Sequence, residues 1–179
     1  MRIAVSGAHG VGKTTLCNDL AKALREGDKS AEVVTNVGRH LHAAGIPVNK
    51  GTKEEQYPLF LEKHLVNLLA EYGSEFVIYD RTMVDTIAYG VANGNLDPRW
   101  ISFLLKAAPQ FLNAIDAYFY IPIEFPIEDD GLRATEIDYQ LQVDRAVVDI
   151  LKQCRPNMIR LGGSREERVA QAMRNISAM

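Results

Sequence analysis

Gly7-Ala8-His9-Gly10-Val11-Gly12-Lys13-Thr14 has the spacing G-x-x-x-x-G-K-T, and its flanks supply the context that gives this spacing meaning. Before it, Arg2-Ile3-Ala4-Val5-Ser6 is short, β-prone and mostly apolar, as a strand buried in a parallel sheet should be. After it, Leu16, Leu20, Ala21, Ala23 and Leu24 recur at helical spacing between Thr14 and Arg25. The glycines permit positive φ and close backbone approach, so successive N–H groups turn into one concavity at the positive end of a helix dipole. A polyphosphate fits there, with Lys13 reaching the β- and γ-phosphates and the Thr14 hydroxyl ligating Mg²⁺. The expected nucleotide-binding set is therefore Gly7, His9, Gly10, Val11, Gly12, Lys13, Thr14 and Thr15, with His9 on the solvent side. ATP and Mg²⁺ are the implied cofactors.

Outward from this loop, strand and helix patterns alternate. Strands are expected at 2–6, 31–35, 75–79, 117–121 and 157–161, and helices at 13–26, 53–72, 84–93, 98–108, 136–153 and 164–176. The alternation argues for βαβ units: an α/β, three-layer fold with a five-stranded parallel sheet and helices on both faces. Residues 36–52 and 122–135 interrupt it with glycine and proline. Both follow strands, so both should project from the carboxyl edge of the sheet, where ligands bind in open α/β folds.

The 179 residues suit one domain, 1–179, with an ordinary balance of 47% apolar and 24% charged side chains. Twenty Lys and Arg against 23 Asp and Glu leave a formal charge of −3, which gives no global attraction to nucleic acid. Cys17 and Cys154 lack metal-type spacing and suit a reducing compartment. With a strand at the N-terminus and no apolar run near the ~20 residues that cross a bilayer, we expect a cytoplasmic protein without a signal peptide or membrane partner.

The third strand runs directly into Asp80-Arg81-Thr82. A carboxylate at the tip of a strand beside the phosphate loop sits near the γ-phosphate and the metal, where it positions Mg²⁺ or takes a proton from an acceptor hydroxyl. Arg81 brings positive charge to the same place. A strand-end Asp can also simply cap the helix that follows.

The phosphate loop, the strand ending in Asp80-Arg81, an arginine-bearing segment after strand four and the closing Gly162-Gly163-Ser164 turn resemble the P-loop nucleoside and nucleotide kinases. That group includes thymidylate kinase, deoxynucleoside kinases and nicotinamide riboside kinase. The run Asp80-Arg81-Thr82-Met83-Val84-Asp85-Thr86-Ile87-Ala88-Tyr89 is similar to the "Asp-Arg, then Asp, then Tyr" pattern of small kinase-like ATPases related to the last of these. The resemblance implies a P-loop NTPase fold and an ATP-dependent kinase. It gives Lys13, Asp80, Arg81 and a lid arginine, Arg133, catalytic roles, with Thr14 and Asp80 at the metal and a lid near 122–135. It also implies that Arg39, Arg81, Asp85 and Tyr89 line an acceptor pocket, although Asn36 stands where relatives often carry an acid. Gly163 and Ser164 would cover the adenine, while Ser164 with Glu167 also reads as a capping box for the last helix.

Asn49-Lys50-Gly51-Thr52 lacks the Asp of a guanine-specifying motif, and Asp80 is followed by Arg rather than the Glu of motor ATPases. The acceptor is then expected to be a nucleoside, nucleotide or related small metabolite. A nucleotide or hydroxymethylated base within nucleic acid is one alternative, and a regulatory ATPase that needs no small acceptor is another. A homodimer is possible for this fold. His40 and His42 have no metal-like partners, His64 sits on a helix among Leu61, Leu65 and Leu68 and reads as structural, and Tyr57, Phe60, Tyr89, Trp100 and Phe103 sit at spacings that suit helix packing.

Overall fold

The computed structural model describes residues 1–125, 137–155 and 157–179. The strand before the glycine loop, β1 (Arg2–Ser6), runs up the middle of a five-stranded sheet. Around it lie β2 (Ala31–Val34), β3 (Phe76–Asp80), β4 (Ala117–Tyr120) and β5 (Ile159–Arg160), in the order β2-β3-β1-β4-β5 with every pairing parallel. β4 is buried along its whole length, and β1 and β3 are buried after their first residue. Near-continuous apolar sequence is what a strand covered on both faces needs.

Among the described residues the helices are α1 (Lys13–Glu26), α2 (Val37–Ala43), α3 (Tyr57–Leu69), α4 (Met83–Asn93), α5 (Pro98–Leu112), α6 (Ile137–Cys154) and α7 (Arg165–Ser177). α1 packs on α7, while α4 joins α3, α5 and α6. None of the described helices is long and apolar enough to cross a membrane.

Register decides the site. β1 and β3 align Val5 with Asp80, and β1 and β4 align Ser6 with Tyr120. Parallel pairing therefore delivers the phosphate loop, Asp80-Arg81 and the segment after β4 to one edge, at the point where the chain's crossovers change direction.

Three departures from the sequence pattern have local causes. The helix expected from 53 begins at Tyr57 after a 3-10 turn at Glu54–Gln56, because Pro58 has no N–H to bond back to the preceding turn and is tolerated only in a first turn. The helix expected to stop at 108 continues to Leu112 through Pro109. The Leu105 carbonyl, which Pro109 cannot satisfy, instead accepts the Cys154 thiol at 3.6 Å. Residues 36–52, where the pattern allows only a short helical segment among glycines and proline, contain α2, with Asn36 as its cap: Oδ1 accepts the Gly38 N–H at 2.8 Å.

Candidate active site

Gly10 and Gly12 both lie in the left-handed region, at φ 80 and 90, which turns the loop into the first turn of α1. No side chain caps that helix, and its first turn carries no acidic residue. Its leading N–H groups thus point into the loop's concavity without a competing carboxylate. α4 and α7 differ, each closed by a capping box: Thr82 with Asp85, and Ser164 with Glu167. The residues at the head of α1 fit a polyphosphate. Lys13 is buried there, its ammonium donating to the Ala8 carbonyl.

The Thr14 hydroxyl donates to Asp80 Oδ2 at 2.6 Å. Asp80 is 2% exposed, and its Oδ1 has no hydrogen-bond partner among the described residues. A buried carboxylate with an orphaned oxygen beside a hydroxyl is a donor set suited to Mg²⁺, which takes one or two protein oxygens and completes its shell with phosphate and water. Among the described residues no cluster of three or more His, Cys, Asp or Glu gathers to hold a metal by itself.

Arg81 follows in a left-handed backbone conformation, φ 79, that costs a residue with a Cβ about 1–2 kcal/mol. Its N–H still donates to the Val5 carbonyl at 3.0 Å, extending the sheet by one rung. The side chain lies over the Tyr89 ring, donates to the Tyr89 hydroxyl at 3.4 Å and stands 3.8 Å from Asp85. Burial opposes its charge, but Tyr89, Asp85 and Asp80 outweigh burial and raise its pKa, so it stays a cation. Its Nε is buried with no hydrogen-bond partner among the described residues.

Asp85 is a structural hub. It accepts from Ser6 Oγ at 2.6 Å and the Thr82 N–H at 2.9 Å, and more weakly from the Gly7 N–H at 3.4 Å. Tyr118 joins the cluster through Ser6 and Thr82 at 2.7 and 2.6 Å, and burial, followed by the charge of Asp85, raises its pKa.

One cavity of about 730 Å³ spans the site. The phosphate loop forms one wall, α7 closes one end with Arg165 and Arg168, and Asn36, Arg39, Tyr57, Phe60 and His64 line the other. The structure thus brings together Lys13, Thr14, Arg39, Arg81, Asp85 and Tyr89, with Asp80 behind Thr14. His9 corrects its expectation. It is 1% exposed, bonded through Nδ1 to the Tyr89 hydroxyl at 3.1 Å and flanked by the Tyr139 ring, because α4 and α6 carry aromatic side chains up to the loop. Gly163 and Ser164 are held by Glu124 and Glu167, and the cavity wall beside them is carried by Arg165 and Arg168. Arg133 and the acidic run 128–130 lie outside the described residues. Trp100 and Phe103 are exposed on α5.

Sequence reading passed over Arg168 altogether. It is buried, donates to the Val11 carbonyl at 2.7 Å and to Glu124 at 2.8 Å, and lies over the Phe125 ring. Its signal was two arginines three apart at the start of a helix, a poor place for cations unless something else holds them. His64 was read as structural, yet it lines the cavity. Burial, and then the charge of Arg81, pull its pKa down to about 3, with Asp80 pulling the other way, so the imidazole is neutral.

A central parallel strand, a glycine loop and a threonine bonded to the aspartate of the adjacent strand define a P-loop nucleoside/nucleotide kinase-like fold. The chain belongs to the AAA domain family, whose model matches residues 2–168. Its structure is similar to NadR protein in complex with NR, at 18% identity and TM-score 0.74, covering 99% of this chain and 52% of that one. The chain thus spans about half the length of that neighbour. It is also similar to deoxyadenosine kinase from M. mycoides, at 15% identity and TM-score 0.65 over 100% of both chains. Thymidylate kinase from Candida albicans is similar at 16% identity and TM-score 0.69, over 99% of this chain and 91% of the other. No curated protein matches the sequence.

Proposed function

We propose that this chain is an ATP- and Mg²⁺-dependent phosphotransferase acting on a nucleoside, nucleotide or related small metabolite. The observation that carries the reading is the Thr14–Asp80 bond beside a phosphate loop, at a cavity that continues past the loop to Asn36, Arg39, Tyr57 and Phe60. A volume of about 730 Å³ is large among ligand pockets, and its two ends differ in character. The names of the structural neighbours, deoxyadenosine kinase and thymidylate kinase, support an acceptor of the same size class.

In this reading the N–H groups at the head of α1 and Lys13 bind and orient the triphosphate. Thr14 and Asp80 hold Mg²⁺, which when bound would neutralise charge developing on the phosphates. Arg81 faces the acceptor and offsets charge on the transferring group, as a preorganised cation does most effectively in a site shielded from water. Tyr89 orients Arg81 through its hydroxyl and ring. Asp85 fixes the turn that presents both Asp80 and Arg81.

The test is ADP release with Mg²⁺ against nucleosides, monophosphates, nicotinamide riboside and short DNA, comparing wild type with Asp80→Ala. Acceptor-dependent release that disappears in Asp80→Ala is the expected outcome. Tight ATP binding with no response to any acceptor would overturn the reading in favour of a regulatory ATPase.

A further inference from the structure

We propose that the acceptor oxygen reaches this site already ionised, on a nucleoside monophosphate or similar phosphate monoester, and not as an alcohol; this rests on the phosphotransferase reading above. An alcohol acceptor needs a group to take its proton, whereas a phosphate monoester has lost its second proton by neutral pH, with a pKa near 6.

The acceptor end of the cavity is furnished for the second case. Both carboxylates near it are engaged in that reading: Asp80 accepts the Thr14 hydroxyl through Oδ2 and would offer its unpaired Oδ1 to Mg²⁺, and Asp85 accepts the Ser6 hydroxyl and the Thr82 N–H while facing Arg81. Two residues past the end of β2, Asn36 lines the cavity, an amide that takes no proton and whose oxygen caps α2.

The cations are arranged differently. Arg39 is exposed on the cavity wall and makes no ion pair among the described residues, and Arg81 is held in a strained backbone with its Nε–H unpartnered among the same residues. A buried guanidinium N–H left unpaired costs free energy unless a ligand oxygen completes it. Arginine forks match the oxygens of a phosphate monoester better than any neutral hydroxyl. The anion thereby supplies both the nucleophile and the charge that these arginines need.

The step balances without a base. An ionised acceptor oxygen forms a bond to the γ-phosphorus as the bond from that phosphorus to the β,γ-bridging oxygen breaks. The electron pair leaves on the ADP β-phosphate, and no proton moves.

The experiment offers nucleosides, the same nucleosides as 5′-monophosphates, and a 5′-hydroxyl oligonucleotide to the full chain with ATP and Mg²⁺. Calorimetry then measures binding of nucleoside and monophosphate without ATP. Transfer to monophosphates, and monophosphate binding at least about tenfold tighter than nucleoside binding, is expected, since charge-assisted hydrogen bonds reach that size. Arg39→Gln, an exposed change that leaves the fold alone, should raise the KM for monophosphate about tenfold and leave that for ATP unchanged. Transfer to nucleosides or the oligonucleotide in preference would overturn the ionised acceptor while the phosphotransferase reading stands. ATP binding without transfer to any acceptor would overturn both.

Discussion

Thr14, the last residue of the phosphate-loop motif, and Asp80, the last residue of β3, are joined by a 2.6 Å hydrogen bond between chain positions 66 apart. Neither end is accidental. The β1–β3 register sets Asp80 opposite Val5, so the loop leaving β1 must return past it before α1 can begin. The bond leaves one Asp80 oxygen buried and unpaired among the described residues, which a metal or its water can complete.

Asp80→Asn should therefore separate metal use from nucleotide binding. The amide keeps the size and still accepts from Thr14, but it withdraws the charge that draws Mg²⁺. Turnover falls on the order of 10²-fold, while ATP binds in EDTA as it does to wild type. Fluorescence titration of nucleotide with and without Mg²⁺ reads both at once. Equal Mg²⁺-dependent tightening in variant and wild type would remove Asp80 from the metal site.

The phosphate loop also contains a pure packing constraint. Gly7 sits at φ 153, and a Cβ there would run into the Ile121 carbonyl oxygen, which is backbone and cannot swing aside. Gly45 also lies at positive φ, 82, where a residue with a Cβ would be strained, but nothing lies within 4 Å of its Cβ position. Gly45→Ala should thus cost only the strain of about 1–2 kcal/mol, and Gly7→Ala that plus an overpacking cost of about 1–3 kcal/mol. At about 2–4 °C per kcal/mol for a chain of this size, thermal melts will show Gly7→Ala losing clearly more. Equal losses would mean that the loop shifts away from Ile121 at no cost.

The sheet and the phosphate loop were legible because each rests on contiguous sequence: period, glycine spacing and a strand before a helix. The aromatic and basic surroundings were not, because they assemble across the fold. His9 looked like an exposed loop residue, and nothing near it in the chain announces that Tyr89 and Tyr139 will enclose it. Arg168 is 157 residues from the Val11 carbonyl it holds. Ser164 read correctly as a cap because a capping box lies within four consecutive residues. Asp85 carried both kinds of information, and only its capping half was local.

His64 should make the protein acid-sensitive. Its pKa is about 3 in the fold against 6.5 for an ordinary imidazole, so the unfolded chain binds a proton here that the folded chain refuses. Stability is untouched above the unfolded pKa and falls progressively as pH drops from about 6.5 toward 3. His64→Gln should match wild type in urea at about pH 7.5 and exceed it at about pH 5. If both proteins lose the same stability between those two conditions, His64 carries none of the acid sensitivity.

Arg168 should couple the last helix to the phosphate loop. One guanidinium nitrogen holds the Val11 carbonyl at 2.7 Å and another holds Glu124 at 2.8 Å, so α7, the loop and the segment after β4 share a single cation. Its side chain is 7% exposed and that of Glu124 is 26% exposed. Removing the arginine leaves a carboxylate that can still turn to water, so the stability loss should be about 1.5–3 kcal/mol, below that of a fully buried pair. The loop loses its outer support as well, and the KM for ATP should rise in Arg168→Met while the KM for the acceptor does not. Glu124→Gln keeps a hydrogen bond to Arg168 and leaves Val11 held, so its effect on ATP should be smaller. A double-mutant cycle on stability then isolates the ion pair, with a coupling of about 1 kcal/mol expected. Zero coupling, with ATP affinity still reduced in Arg168→Met, would assign the whole effect to the Val11 carbonyl and leave Glu124 to the Gly163 turn it also holds.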